Sequence, residues 1–240
     1  MNSSVHDAAV VGRHTRFTDL LWDRTTVLRD AIDELEFLRR LGDGTLPLDV
    51  FRTYIEQDFL YLTGYAKALS LVAAHAPDPV AAGFWANSAA TAATVEASLH
   101  QNLLSGGKLP ASDAQPQHSQ ACLGYVSYLT AVAATEPYPV AAAAVLPCFW
   151  IYADVGRRLA ASAREVLSAD PSHPYAQWVT TYDAEEFHAA VATARELVDA
   201  AADAATEAQR EAMIEAFVVA SRYELLFWDT ALNEQKWPKS

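Results

Sequence analysis

The sequence predicts an all-α protein, and three observations support that prediction. Alanine, leucine, glutamate and arginine dominate most stretches of the 240 residues, and these residue types favour helices. Apolar residues recur at helical spacing, whereas β-branched alternating runs flanked by Asn-Gly or Asp-Gly, which mark hairpins, are missing. Hydrophobic residues make up 52% of the chain and charged residues 20%, which is the profile of a chain that packs a hydrophobic core.

The predicted helices follow one another with clear breaks between them. Pro47 is expected at the first position of its helix, and the pairs Asp183/Glu186 and Thr206/Gln209 have the spacing of capping boxes. Prolines at 77 and 79 and the glycine-rich loop 105–110 end the helices that precede them. The helices are expected at about 17–40, 47–75, from the 77–79 break to 104, 117–135, 139–167, 183–200 and 206–234.

The chain is expected to form a single helical domain over residues 1–240, with 1–13 as a flexible N-terminus. No internal repeat, low-complexity linker or shift in composition marks a domain boundary. A length of 240 residues is close to the upper limit for one hydrophobic core.

Charge and cysteine content limit the classes of partner and the compartment. Seventeen Lys and Arg against 30 Asp and Glu give a net charge of −13, which disfavours nucleic acid and anionic membranes as partners. Cys122 and Cys148 form no Cys-x-x-Cys motif and no disulfide scaffold, and the N-terminus lacks the charges of a signal peptide. We therefore expect a cytoplasmic protein, with the apolar stretch 137–153 as a buried core helix because it is too short to span a membrane.

Asp58 stands on what is otherwise the apolar face of the second predicted helix. A rotation of about 100° per residue places it in the middle of a stripe that includes Phe51 and Leu62. Burying a carboxylate is costly unless donors meet it, so Asp58 either bonds a neighbouring helix or meets a ligand. Tyr61 and Tyr65 follow on the same face, where aromatic residues are typical of plain core as well as of a pocket wall.

Glu224 is a second carboxylate on an apolar face, this time in the last predicted helix. Phe217, Leu225 and Trp228 belong to the same apolar arc. Two buried acids on different helices are typical of proton-transfer sites, because a shared pocket separates their pKa values. A pair of purely structural acids remains the alternative.

Cys148 follows a proline inside an apolar helix. Pro147 cannot donate to the carbonyl of Ala143, so a break or kink is expected one residue before the thiol, at a cost of about 3 kcal/mol. Tyr152, four residues further on, can place its hydroxyl near the sulfur. The combination points to a functional thiol, although a buried cysteine is often no more than a small hydrophobic residue.

The histidines do not predict a metal site. The seven histidines form no paired motif, and a di-metal carboxylate bundle needs two Glu-x-x-His motifs where this chain has one, at residues 185–188. That motif is therefore interpreted as a solvated helix face.

Several segments of this sequence together resemble those of a known family. They are Asp43-Gly44-Thr45-Leu46-Pro47 with Phe51, Tyr54, Gln57-Asp58 and Tyr61-Leu62; residues 146–152 (Leu-Pro-Cys-Phe-Trp-Ile-Tyr); His173-Pro174 with Trp178 and Tyr182; and Glu224 with Phe227-Trp228. In this order they resemble the TenA (thiaminase II) family of aminopyrimidine aminohydrolases, from about residue 14 to Pro238.

The resemblance implies a fold, an assembly and an activity. The fold is the haem-oxygenase-like helical bundle, and the assembly is a homotetramer. Members with the cysteine hydrolyse 4-amino-5-aminomethyl-2-methylpyrimidine to the hydroxymethyl compound and ammonia, and split thiamin, in thiamin salvage. The resemblance assigns the nucleophile to Cys148, recognition of the aminopyrimidine to Asp58 and proton handling to Glu224. It implies no cofactor.

The resemblance also implies an aromatic pocket. Its residues would be Tyr61, Tyr125, Tyr152, Tyr182 and Phe227, with Tyr128 as a competitor for the place of Tyr125 because the flanking residues match poorly. Flat aromatic walls stack a pyrimidine ring, acids bond its nitrogens, and an activated ring carbon accepts a thiolate.

Two further functions remain open from the sequence. The same fold hosts di-metal oxidases, which need several His and carboxylate ligands and would contain metal when purified. A non-catalytic pyrimidine-binding regulator would have the same pocket but show no turnover.

Overall fold

The described part of the protein consists of α-helices without strands, as the sequence predicts. The computed structural model describes residues 16–105 (95–105 by backbone alone), 109–110, 115–164, 168, 170, 175, 182, 184–233 and 237. The helices within these ranges are α1 (Phe17–Arg24), α2 (Thr26–Asp33), α3 (Glu36–Gly42), α4 (Leu48–His75), α5 (Pro79–Ser105), α6 (Gln120–Thr135), α7 (Tyr138–Ser162), α8 (Glu185–Ala204) and α9 (Glu207–Thr230). Residues 1–13, expected to be flexible, lie outside the described residues.

The N-terminal helix predicted over 17–40 is wrong, because this segment forms three short helices. The first break is at Thr25, whose backbone leaves helical geometry (φ −108°, ψ 11°) and whose hydroxyl donates to the carbonyls of Leu21 and Trp22 at 3.2 and 3.1 Å. Such local bonds compete with the helix ladder. The second break is at Leu35, which is extended (φ −60°, ψ 129°).

Helix starts differ from the predictions by a few residues. Pro47 precedes its helix as the N-cap instead of occupying the first helical position. The capping box of Thr206 and Gln209 is confirmed, with both side-chain bonds formed. The N-cap of α8 is Ala184, which has no capping side chain, so the expected box with Asp183 does not start this helix; Asp183 itself lies outside the described residues.

Helix α7 lies at the centre of the bundle. It packs against α9, α8, α6, α4 and α3, and nearly all its side chains from Val140 to Phe149 are buried, which confirms the expected core helix. By length and composition α7 could cross a membrane, but 83% of its most apolar window is buried inside the protein. The helix continues through Pro147 without a break, and the nearby carbonyl of Val145 accepts a bond of 2.8 Å from the hydroxyl of Tyr65.

A stack of four flat groups joins the N-terminal helices to the core. Trp22 of α1 stacks on Trp150 of α7 with 4.1 Å between ring centroids. The guanidinium groups of Arg29 and Arg195 lie 3.9 Å from the centroids of Trp22 and Trp150, respectively. Cation–π contacts of this kind position α1 against α7 and α8.

Candidate active site

A cavity of about 460 Å³ lies between α4, α5, α7 and the start of α8. Four of its buried lining residues form what we call the floor: Asp58, Tyr61, Cys148 and Tyr152. Its exposed lining residues form what we call the mouth: Asn87, Thr91 and Glu186. The remaining described lining residues, which we call the walls, are Leu62, Tyr65, Leu69, Phe84, Ser88, Ala92, Phe149, Tyr182, Ala184, Phe187 and Ala190.

Asp58 lines the cavity, and its neighbour Gln57 is bonded to the residues just before α6. The Gln57 side chain accepts a bond from the Ser119 backbone N–H and donates to the Gln117 carbonyl, both at 2.8 Å. These bonds join α4 to the N-terminus of α6, where the Ser119 hydroxyl caps the helix by accepting from the Cys122 N–H. With Gln57 anchored there, the Asp58 side chain is only 1% exposed and points to the floor.

The two cysteines have different surroundings. Cys148 is 8% exposed and lines the cavity, one helical turn before Tyr152. Cys122 is completely buried and donates to the Gln57 carbonyl, with 3.6 Å between sulfur and oxygen. Burial and the nearby charge of Asp58 raise the pKa of Cys122 to about 12, so this thiol is not reactive near neutral pH.

Glu224 lies one layer behind the floor, on α9. Its side chain is completely buried, and one carboxyl oxygen accepts a bond of 2.6 Å from the hydroxyl of Tyr125. The other oxygen accepts no hydrogen bond from the described residues. Burial raises the pKa of Glu224 to about 8; the bond from Tyr125 opposes this shift and the charge of Asp58 adds to it. The raised pKa favours the protonated form of this carboxyl near neutral pH.

The predicted aromatic residues divide between two layers. Tyr61, Tyr152 and Tyr182 line the cavity, whereas Tyr125 and Phe227 lie behind Tyr61 with ring centroids 4.9 and 5.3 Å from it. Tyr61 therefore connects the cavity to the pair of Tyr125 and Glu224.

The structure also separates Tyr125 from its competitor. Tyr128 is partly exposed, and its hydroxyl donates to the carbonyl of Ala216 at 3.3 Å. Tyr125 is buried against Tyr61 and donates to Glu224. Of the two tyrosines, Tyr125 is the one near the site.

Tyr182 is positioned by a glycine of α7. A Cβ at Gly156 would lie 2.8 Å from both the Cβ and the carbonyl oxygen of Tyr182. The ring centroid of Tyr182 lies 5.1 Å from that of Tyr152 and 5.4 Å from that of Phe187. The missing side chain at Gly156 thus lets Tyr182 approach α7 and complete the wall.

Several lining residues are absent from the sequence-based site. Tyr65 lies on the same helix face as Asp58, and that spacing was a usable signal. Burial and the nearby Cys148 raise the pKa of Tyr65. Four other lining residues carry no sequence signal of a binding site, because they belong to ordinary polar helix faces: Asn87, Ser88 and Thr91 of α5, and Glu186 of α8. His173, Pro174 and Trp178 of the family segments lie outside the described residues.

The described residues contain no group of three or more His, Cys, Asp or Glu side chains placed to hold a metal ion. Glu185 and Glu186 are exposed, in line with the solvated helix face expected for the Glu-x-x-His motif.

Comparison with known proteins connects this geometry to a family. Residues 25–234 match the TENA/THI-4/PQQC family. The aminopyrimidine aminohydrolase of Bacillus subtilis is 34% identical over 206 residues, which cover 85% of this chain and 84% of that protein. The thiamine biosynthesis multifunctional protein ThiED of Corynebacterium efficiens is 38% identical over 218 residues, 91% of this chain. The chain spans only 28% of the length of that multifunctional protein.

Solved structures agree with the family match. A TenA homologue from P. horikoshii OT3 has a TM-score of 0.79 at 28% identity and covers 91% of this chain and 99% of its own. A haem-oxygenase-like domain of unknown function from Shewanella denitrificans has a TM-score of 0.70 at 13% identity and covers 92% and 93%, which supports the fold alone. The chain therefore belongs to the TENA/THI-4/PQQC family and has the haem-oxygenase-like helical fold that the family resemblance implies.

Proposed function

We propose that this protein is an aminopyrimidine aminohydrolase of the cysteine type. It would hydrolyse 4-amino-5-aminomethyl-2-methylpyrimidine to the hydroxymethyl compound and ammonia, and split thiamin into its pyrimidine and thiazole halves. The observation that carries the proposal is one cavity whose floor combines a thiol, Cys148, with a buried carboxylate, Asp58. The name of the Bacillus subtilis relative supports the same reaction.

The floor suits a flat, hydrogen-bonding ring. Tyr61 and Tyr152 line it and offer aromatic surface to a pyrimidine. The Asp58 carboxylate accepts bonds from the exocyclic amine of such a ring, and charge-assisted bonds of this kind are stronger than neutral ones. A ring held in this way presents a carbon to the sulfur of Cys148, which lines the same cavity.

The chemistry needs a nucleophile and a proton donor. The Cys148 thiolate forms a bond to a ring carbon, which weakens the bond between the aminomethyl carbon and its nitrogen. The nitrogen is attached as an ammonium, so it leaves as neutral ammonia when that bond breaks. Water then adds to the exposed carbon, and the carbon–sulfur bond breaks and regenerates the thiolate. Glu224 lies behind Tyr61, and its pKa, raised to about 8, favours the protonated carboxyl near neutral pH. It supplies a proton towards the ring as the thiolate adds and recovers one from the water, and the proton left on the product ring converts ammonia to ammonium.

We extend the proposal to assembly, compartment and purpose. The family resemblance supports a homotetramer and a role in thiamin salvage. The two cysteines outside any disulfide support a cytoplasmic location, because thiols stay reduced there.

Ammonia release from the aminomethylpyrimidine tests the proposal, with Cys148→Ser as the variant and Cys122→Ser as its control. Cys148→Ser should lower kcat by about 10²-fold or more, because a hydroxyl is a poor nucleophile at neutral pH. Cys122→Ser should keep wild-type turnover, because its thiol is buried behind Asp58. Wild-type turnover by Cys148→Ser would refute the nucleophile.

Two measurements separate the alternatives that the sequence leaves open. A wild-type protein that binds the pyrimidine without turnover would be a binding protein or regulator. Turnover that depends on a metal ion copurified with the protein would indicate the oxidase class.

A further inference from the structure

The cavity is larger than its floor requires. A cavity of about 150 Å³ is enough for a benzene-sized ring, whereas this one has about 460 Å³. A pyrimidine on the floor therefore leaves space for a second group between the floor and solvent. Phe84 and Phe187 line that space, and the exposed mouth residues border it.

The side chains of the described cavity lining that ordinarily carry a full charge are all acidic. They are Asp58 on the floor and Glu186 at the mouth, and the described lining contains no lysine, arginine or histidine. A group that extends from the floor to solvent meets the Glu186 carboxyl group and, among the described lining residues, no basic side chain. Electrostatics in this space therefore favours a positive group and opposes a phosphate.

The opposite helix contributes uncharged polar groups. Asn87, Ser88 and Thr91 lie at i, i+1 and i+4 on α5, so they share one helix face, and all three line the cavity. Their amide and hydroxyl groups can bond a polar substituent without preference for its charge. Among the described residues of the mouth, Glu186 is therefore the one that can discriminate by charge.

We propose that the mouth is a second subsite, which holds the substituent displaced from the pyrimidine, and that Glu186 makes this subsite select a cationic substituent over a neutral or anionic one. The inference rests on the proposed function, in which both displaced groups, an ammonium and a thiazolium, are attached as cations. Glu186 acts as a specificity-determining residue and takes no part in bond breaking. A phosphorylated pyrimidine is a poor ligand, so any phosphorylation of the product must follow this reaction.

Titration calorimetry with three ligands that share one ring tests the subsite. They are the aminomethylpyrimidine (cation), the hydroxymethyl compound (neutral) and its phosphate monoester (anion), and a Cys148→Ser background prevents turnover. Adding Glu186→Gln should weaken binding of the cation by about two- to five-fold, the range for an exposed ion pair. It should leave the Kd of the neutral compound unchanged and strengthen binding of the phosphate ester. Glu185→Gln, an exposed neighbour outside the lining, is the matched control and should change none of the three.

Salt adds an independent readout. Raising the ionic strength from about 0.01 to 1 M shortens the screening length about tenfold. The preference for the cation should therefore shrink in the protein that retains Glu186, whereas the Glu186→Gln variant should show little change. Equal weakening of cation and neutral ligand by Glu186→Gln, or an identical effect of Glu185→Gln, would overturn the inference.

The binding test of the mouth and the activity test of the proposed function can fail independently. Absence of ammonia release by the wild-type protein, with this binding pattern intact, would refute the reaction and leave the subsite standing. Ammonia release by a protein whose Glu186→Gln variant binds all three ligands as the parent does would support the reaction and refute the subsite. Failure of all three ligands to bind would refute both.

Discussion

Replacing Glu224 with glutamine should remove activity and increase stability at alkaline pH. Glutamine keeps the shape of the side chain and can still accept the bond from Tyr125, but it cannot supply a proton. We expect kcat to fall by about 10² to 10⁴, the usual contribution of a general acid or base. In the wild-type protein, kcat should fall as the pH rises through about 8, where Glu224 loses its proton.

The stability effect follows from the difference between the folded and unfolded pKa. Burial raises the pKa of Glu224 from its ordinary value of 4.5, which applies to the unfolded chain, to about 8 in the folded protein. Because the folded value is the higher one, its contribution to stability is fully present below about pH 4.5 and is lost as the pH rises to about 8. A pKa difference of one unit between the folded and unfolded states corresponds to about 1.4 kcal/mol in the free energy of unfolding. The complete loss of stability is therefore about 5 kcal/mol, of which about 3–4 kcal/mol falls between pH 5 and pH 8. Glutamine does not titrate and avoids this loss.

Urea unfolding at about pH 5 and pH 8 measures this difference directly. Relative to wild type, Glu224→Gln should gain about 3–4 kcal/mol in the free energy of unfolding between the two pH values. Glu211→Gln, at an exposed position of the same helix, should show no such change. A stability difference between wild type and Glu224→Gln that stays constant with pH would show that Glu224 is already ionised in the folded protein at neutral pH, and the assigned role as proton donor would fail with it.

Two further substitutions test the floor and its wall. Asp58→Asn should lower kcat/KM by about 10² with little change in Tm, because it loses the charged acceptor and keeps the volume; steady-state kinetics with thermal unfolding would reveal the opposite pattern if Asp58 were purely structural. Gly156→Ala should raise KM about tenfold, because the new Cβ would lie 2.8 Å from Tyr182 and move this wall residue. Gly83→Ala, where a Cβ meets nothing within 4 Å, should leave KM unchanged and add about 0.5–1 kcal/mol to the free energy of unfolding.

Helical periodicity was enough to predict which carboxylates are buried. Asp58 and Glu224 each fall on an apolar arc, and the structure leaves them 1% and 0% exposed. Periodicity could not predict that Asp58 lines the cavity whereas Glu224 lies behind Tyr61, because this difference depends on how the helices pack. Tyr61 comes between the cavity and Glu224 only because α4, α6 and α9 meet where their aromatic rings stack.

The breaks that divide the N-terminal segment into α1, α2 and α3 could not be predicted from helical periodicity either. Apolar spacing over 17–40 is continuous, and the first break depends on a single hydroxyl, that of Thr25, which bonds the carbonyls of the preceding turn. Threonine occurs in many uninterrupted helices, so its presence alone predicts no break. The mouth was missed for a related reason, since Asn87, Thr91 and Glu186 are ordinary surface residues until the fold places them around one opening.

The separation of floor and mouth has a consequence for how the substrate range of such a protein can evolve. Every floor residue is buried, so a change there alters packing and reduces the number of sequences that still fold. The exposed mouth residues carry little of the packing, and substitutions at such positions usually change stability by less than about 0.5 kcal/mol. Mutations can therefore accumulate around the opening and exchange one displaced group for another, while the ring that is recognised stays the same.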